Sequence, residues 1–421
     1  MPRRQYRLHH LLKGVAWIGA SGVCGRTVAF AASIVVAHAL GPAAFGVLAF
    51  GLSIAIVFGA CASLGLDELL VREIARNGDN SGATFADALI LRLAATPIAG
   101  CGVVLLAVSS QLDARLGVSL TGYALLNSCL LSACAAFRGR GRMDLQALLI
   151  GGQAVLVSLL AVAVALSAGA VDGVGAAYVA GTAVVVCVAY WLLARTGAQP
   201  RFGWRPRAWA SLACIGAPFA VGAIGLLALD RMALTTITII SGSQAAGWFG
   251  AVHAIILALS GVATTAMLVA FPLLARAHVH DPRAASALVR DLLGVALALG
   301  CTLSLALYLL APVGVPLLFG SDYLASVAIM QRIAFSLPFV LTTIVLVGAC
   351  EATDRQTLSA RAIATALPLA GLTCIGATWL WGYEGGAAAY TLSHAVLAGV
   401  LAARWFLQPQ VVLAAQPRGA E

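Results

Sequence analysis

Apolar residues fill this chain in long blocks, interrupted by short polar punctuation. The blocks predict twelve helical spans, over 14–40, 45–66, 85–109, 118–137, 147–168, 173–194, 209–241, 245–274, 287–311, 325–349, 358–381 and 386–407. A helix crosses a bilayer with about 20 apolar residues, and each block reaches that length. The block over 209–241 is the longest because it absorbs Asp230 and Arg231 part way along. Prolines inside spans, Pro97, Pro218, Pro338 and Pro368, predict bends. Runs of Gly, Ala and Ser, such as Gly14 to Gly22, predict helices packed backbone to backbone.

The opening pattern recurs. The stretch Arg26 to Arg76 holds a span carrying an Arg, a Gly41-Pro42 break, a second span, and a charged exit that begins at Asp67. A fainter copy starts at Asp230-Arg231. Arg26 and Arg231 lie 205 residues apart; the pairs Phe45-Gly46 and Phe249-Gly250 lie 204 apart. The longest polar connection is Arg195 to Arg207, where Pro200, Gly203 and Pro206 break any helix. It divides the chain into residues 1–195, a linker over 196–208, and residues 209–421. Six spans precede the linker, so both halves start on the same side. The expected fold is therefore all-α and polytopic: two six-helix bundles related by a parallel internal repeat.

Composition agrees. Of 421 residues, 61% are hydrophobic and 10% charged, against about a quarter charged in soluble domains. Mean hydropathy is +0.98. The spans leave no room for a soluble domain. The net charge of +9 does not point to nucleic acid. With the N-terminus inside, the inside segments carry twenty Arg and Lys residues and the outside loops one, Arg115. That asymmetry orients the chain by the positive-inside rule and predicts both termini in the cytoplasm. The ten cysteines all fall in hydrophobic runs and read as small apolar fillers, not as metal ligands or disulfides. No cleavable signal peptide is apparent.

Charge inside a span is costly, so it marks either a partner or a cavity. Arg26 lies about twelve residues into the first span and is expected to face a cavity. Asp230 and Arg231 are adjacent and point about 100° apart on a helix. One arrangement sends Arg231 to a cavity and Asp230 to a neighbouring helix; the other is the reverse. Arg92 follows Asp87 near the inner end of its span, from which a long side chain also reaches the interface. Arg332 and Glu351 sit near the two ends of span ten. His38, His253 and His394 are single imidazoles in spans one, eight and twelve. Each reads as a structural histidine that could also join a proton path. Guanidinium stays charged and makes forked bonds to phosphate oxygens. A cavity with several Arg and few carboxylates suits an anion. There is no Walker loop, HExxH, GxSxG or dinucleotide fingerprint.

With those residues in place, the chain resembles the bacterial oligosaccharide flippases, which move O-antigen and exopolysaccharide repeat units. These belong to the multidrug/oligosaccharidyl-lipid/polysaccharide exporter superfamily. The residues that carry the resemblance are Ala39 to Gly46; Leu64-Gly65-Leu66-Asp67 with Leu70 to Arg76; Leu229-Asp230-Arg231; and Val315 to Tyr323. The resemblance implies two six-helix bundles around a central cavity that opens to alternate sides. It implies an undecaprenyl-pyrophosphate-linked oligosaccharide as substrate, moved across the bacterial cytoplasmic membrane. Arg26, Arg92 and Arg231 would line the cavity and hold the pyrophosphate. Asp230 would orient an Arg or carry a coupling proton. Asp67 and Arg72 would belong to an inner gate. An H⁺ or Na⁺ gradient would supply the energy, with no bound cofactor. A polysaccharide polymerase and a chain-length regulator are the expected partners.

Three other readings compete. A multidrug or cation antiporter of the same superfamily would want carboxylates in the core of the N-terminal half, where none is clear. A membrane polymerase or acyltransferase would want a sizeable external loop; the predicted outside loops hold roughly 4 to 15 residues. A non-transporting scaffold leaves the buried Arg residues unexplained.

Overall fold

The computed structural model describes the backbone of residues 2–77, 82–109, 113–196, 203 and 205–407. Every described element is helical. The first apolar stretch forms two arms, α1 (residues 2–40) and α2 (residues 42–63), joined at Gly41 with φ 72° and ψ 170°. Then follow α3 (Leu66–Asn77), α4 (Gly82–Ser109), α5 (Ala114–Gly139), α6 (Met143–Ala168) and α7 (Val171–Arg195). The second half runs α8 (Pro206–Ser241), α9 (Ser243–His280), α10 (Pro282–Phe319), the short α11 (Ala325–Ile333) and α12 (Leu337–Ala352). Its last stretch, Gln356–Leu407, is two arms joined at Gly382, α13 (residues 356–381) and α14 (residues 383–407). Counting α11 and α12 as one broken span, this is six spans in each half.

The reversals are visible in the packing. Along α1, Gly19 abuts Thr265 and Arg26 lies on Gly261, so α1 runs antiparallel to α9. Along α2, Gly46 abuts Ser243 and Gly247, and Ala49 abuts Gly250, so α2 runs parallel to it. Gly242, between α8 and α9, has nearly the same backbone as Gly41, φ 87° and ψ 174°. A side chain is strained at such angles. The two hairpins meet by their backbones: a Cβ on Gly46 would collide with the Ser243 carbonyl, and one on Gly247 with the Pro42 carbonyl. This reciprocal contact sets the register of the repeat at 201 residues, Gly41 on Gly242 and Gly46 on Gly247. Arg26 precedes its hairpin glycine by 15 residues and Arg231 precedes its own by 11. Arg26 is therefore about 6 Å farther from the hairpin end than Arg231, at 1.5 Å per residue.

Most of the expected spans coincide with helices. Two features differ. The charged exit is itself an amphipathic helix, α3. Leu66, Leu70 and Ile74, four residues apart, are all buried, and Ile74 packs on Gly139 of α5. Four-residue spacing puts them on one face, which the charges around them obscure in the sequence. Span ten is also broken, by a 3-10 turn over Ala334–Ser336 just before Pro338. Most of the 196–208 linker lies outside the described residues. Nine described stretches are long and apolar enough to cross a membrane, the two-armed ones counted once each. The protein is a multi-pass membrane protein.

Candidate functional site

Besides the packing of α1 on α9, the two halves touch at two seams. At the hairpin end, His38 Nε2 donates to the Leu318 carbonyl at 2.8 Å, and the buried Tyr323 hydroxyl donates to the Ala37 carbonyl at 3.0 Å. At the opposite end, Trp209 Nε1 donates to Asp87 Oδ1 at 2.7 Å, and Gly216 lies against the Leu64 carbonyl. Between these seams lie the charged residues of α1 and α8.

Asp230 is the centre of a polar cluster in the C-terminal half. The Tyr390 hydroxyl donates to its Oδ1 at 3.0 Å. His253 Nε2 is 3.4 Å from the same oxygen, and His394 Nε2 is 3.7 Å away. The rings stack into one group with Phe249: His253 lies 5.4 Å from Phe249 and 5.2 Å from Tyr390, and Tyr390 lies 4.6 Å from His394, between centroids. His253, Tyr390 and His394 are buried. Both ring nitrogens of His394 are buried without a hydrogen-bond partner, a state that costs free energy unless a proton or ligand uses them. Among the described residues no such group is arranged to hold a metal ion.

Arg231 turns the other way. Its Nε lies 3.3 Å from Asp230 Oδ2 without a hydrogen bond, and its charge reaches the Tyr123 hydroxyl on α5, in the other half. Asp230 and Arg231 keep 17% and 16% of their side-chain surface accessible although helices surround them. Of the two arrangements open from the sequence, the structure has Asp230 on neighbouring helices and Arg231 toward the other half. Arg26 crosses from α1 onto Gly261 of α9. Gly261 is the residue that leaves room for the guanidinium. Among the described residues Arg26 makes no hydrogen bond or ion pair.

Arg92 is placed differently. It is fully buried. Its Nη1 donates to the Ser128 carbonyl at 2.7 Å and to Ser128 Oγ at 2.9 Å, and its Nη2 donates to Asp67 Oδ1 at 2.5 Å. The structure thus joins a residue expected in the cavity to one expected at the gate. The pair ties α4 to α5 and to the first turn of α3. Arg72 is exposed on α3. Sequence reading did not single out Tyr390, Tyr123 or Trp209. Tyr390 and Trp209 look like packing until the carboxylate beside each, Asp230 or Asp87, is found on another helix. At the hairpin end, Arg332 Nη2 pairs with Glu384 at 2.6 Å.

Residues 11–278 match the family described as polysaccharide biosynthesis protein. No curated protein matches the chain. Among solved structures, the fold is shared with the lipid II flippase MurJ in its inward closed conformation, at 11% identity and TM-score 0.75, covering 91% of this chain and 86% of that one. It is shared with an inward-facing multidrug resistance MATE family transporter of the MOP superfamily, at 15% identity and TM-score 0.69, covering 89% and 92%. A eukaryotic MATE transporter, AtDTX14, aligns at 13% identity and TM-score 0.67 over 94% and 96%. At these identities the likeness is one of fold.

Proposed function

The chain belongs to the polysaccharide biosynthesis protein family, and from that premise we propose that it is a flippase for undecaprenyl-pyrophosphate-linked oligosaccharide repeat units. It works in the bacterial cytoplasmic membrane with both termini inside, and carries the unit from the inner to the outer leaflet by alternating access. The two halves are residues 1–195 and 209–421, joined by the cytoplasmic linker. The observation that carries the reading is a pair of guanidinium groups within the spans: Arg26, with no hydrogen bond or ion pair among the described residues, and Arg231, paired only with its neighbour Asp230. Each is cationic at any working pH and matches a pyrophosphate in charge and geometry. Their axial offset of about 6 Å gives the anion two stations, Arg26 on the cytoplasmic side of Arg231.

Asp230, Tyr390, His253 and His394 form the coupling site. A proton taken up by this group turns a neutral imidazole beside a carboxylate into an ion pair and alters how firmly Asp230 holds Arg231. The Trp209–Asp87 bond belongs to the inner gate and the hairpin contacts to the outer one. A polymerase and a chain-length regulator receive the exported unit.

A multidrug antiporter is the second reading. An internal carboxylate, Asp230, and the fold shared with MATE transporters favour it. The two separate in cells depleted of this protein, probed with a sugar-modifying enzyme that cannot cross the bilayer. Lipid-linked oligosaccharide trapped on the inner face, and released by the wild-type gene, supports the flippase. An unchanged leaflet distribution together with new drug susceptibility supports the antiporter.

A further inference from the structure

The N-terminal half carries a neutral polar group that neither the charge reading nor the coupling cluster uses. Gln153 on α6 donates from Nε2 to Asn127 Oδ1 on α5 at 3.1 Å and to Thr182 Oγ1 on α7 at 3.2 Å. Asn127 is thirteen residues from the start of α5, Gln153 ten from the start of α6, and Thr182 eleven from the start of α7. All three therefore lie near the middle of their spans. There a polar group needs a partner or a polar ligand. Thr182 is fully buried, but Asn127 and Gln153 are only half-buried. Among the described residues, the Asn127 amide nitrogen and the Gln153 amide oxygen have no hydrogen-bond partner, and neither atom is sealed off.

The position of Tyr123 says which way this group faces. Tyr123 and Asn127 are four residues apart and share a face of α5. Tyr123 is the residue that the Arg231 charge reaches from the other half. Its ring also meets Tyr178 of α7 edge to face at 5.4 Å. The amide group and the tyrosine pair thus lie together on one side of α5.

We infer that Asn127, Gln153 and Thr182, with Tyr123, form a saccharide subsite beside the anion-binding Arg231. The inference rests on the flippase reading and names the part of the site that recognises the glycan. An open amide donor next to an open amide acceptor matches the vicinal hydroxyls of a sugar, each of which both donates and accepts. An aromatic wall matches the apolar face of a sugar ring. The group is neutral and holds no carboxylate. Pyrophosphate is common to every lipid-linked repeat unit, so discrimination between glycans falls to neutral groups of this kind.

The test is binding by the purified full-length protein to two probes: undecaprenyl pyrophosphate, and the lipid-linked oligosaccharide extracted from the producing strain. Wild type is expected to bind the second about tenfold more tightly, the worth of one or two hydrogen bonds. Asn127→Leu and Gln153→Leu are expected to erase that increment and leave pyrophosphate binding unchanged. Gln153→Met, which keeps length and volume, serves if either leucine variant fails to fold. Variants that keep the increment overturn the inference and leave the amides as links between helices. Equal wild-type affinity for both probes also overturns it. Failure of wild type to bind either probe refutes the flippase reading itself.

Discussion

Arg92 and Arg231 are guanidinium groups buried in two similar six-helix bundles, and their surroundings are opposite. Arg92 has no accessible surface, and both of its terminal nitrogens donate within its own half, to Ser128 and Asp67. Arg231 keeps open surface, makes no hydrogen bond to its neighbouring carboxylate, and faces the other half. A charge within a span is costly in both places, more so where no surface stays accessible. In one bundle the fold neutralises it, and the group becomes a brace. In the other the group is paired at 3.3 Å with the neighbouring Asp230 and keeps accessible surface. Burial alone therefore does not separate the two groups; the number of donors committed within the protein does.

Substitutions sharpen this contrast. The largest effect is expected from Arg92→Ala, which strands Asp67 and removes a tie among three helices. Breaking a buried pair costs about 3–5 kcal/mol, so the variant should be depleted from membranes and unfold at lower temperature in detergent. Normal melting would mean that Arg92 is not a brace. Arg231→Ala and Arg26→Ala should do the reverse, abolishing glycan export with protein levels and melting near wild type. Full export by both would place the anion site elsewhere. Asp230→Asn should slow transport in proteoliposomes and remove its stimulation by an imposed proton gradient. Stimulation that survives would exclude the Asp230–histidine group as the coupling site. The smallest effect is expected from Trp209→Phe, which deletes one hydrogen bond between the halves, worth about 1 kcal/mol. It should change the transport rate a few-fold at constant stability; an unchanged rate would remove Trp209 from the gate.

Much of the fold was legible because its signals are local. Span length and polar punctuation gave the helix order, and Gly41-Pro42 marked a hairpin. Of the four sequence elements behind the family resemblance, three lie at contacts between the halves. Ala39–Gly46 and Val315–Tyr323 lie together at the hairpin seam, where Tyr323 bonds the Ala37 carbonyl. Leu64 packs against Gly216 at the opposite seam, and Asp230-Arg231 lies between the two. What stayed hidden depends on contacts between distant helices. The repeat was expected near 204 or 205 residues from side-chain identities, yet the backbone contact of Gly46 with Gly247 sets it at 201. The partner of Asp67 was not visible because Arg92 is 25 residues away on another helix. His253 and His394 looked like isolated imidazoles because the carboxylate that unites them sits on α8.

The most direct test of the central claim is the leaflet distribution of lipid-linked oligosaccharide in cells whose only copy of the protein carries Arg231→Ala. The membranes would be probed with an impermeant sugar-modifying enzyme, and the level of the variant measured alongside. The account predicts intermediates trapped on the inner face with the variant present at wild-type abundance. Intermediates on the outer face at wild-type level would contradict it, because the Arg231 guanidinium would then have no part in carrying the substrate.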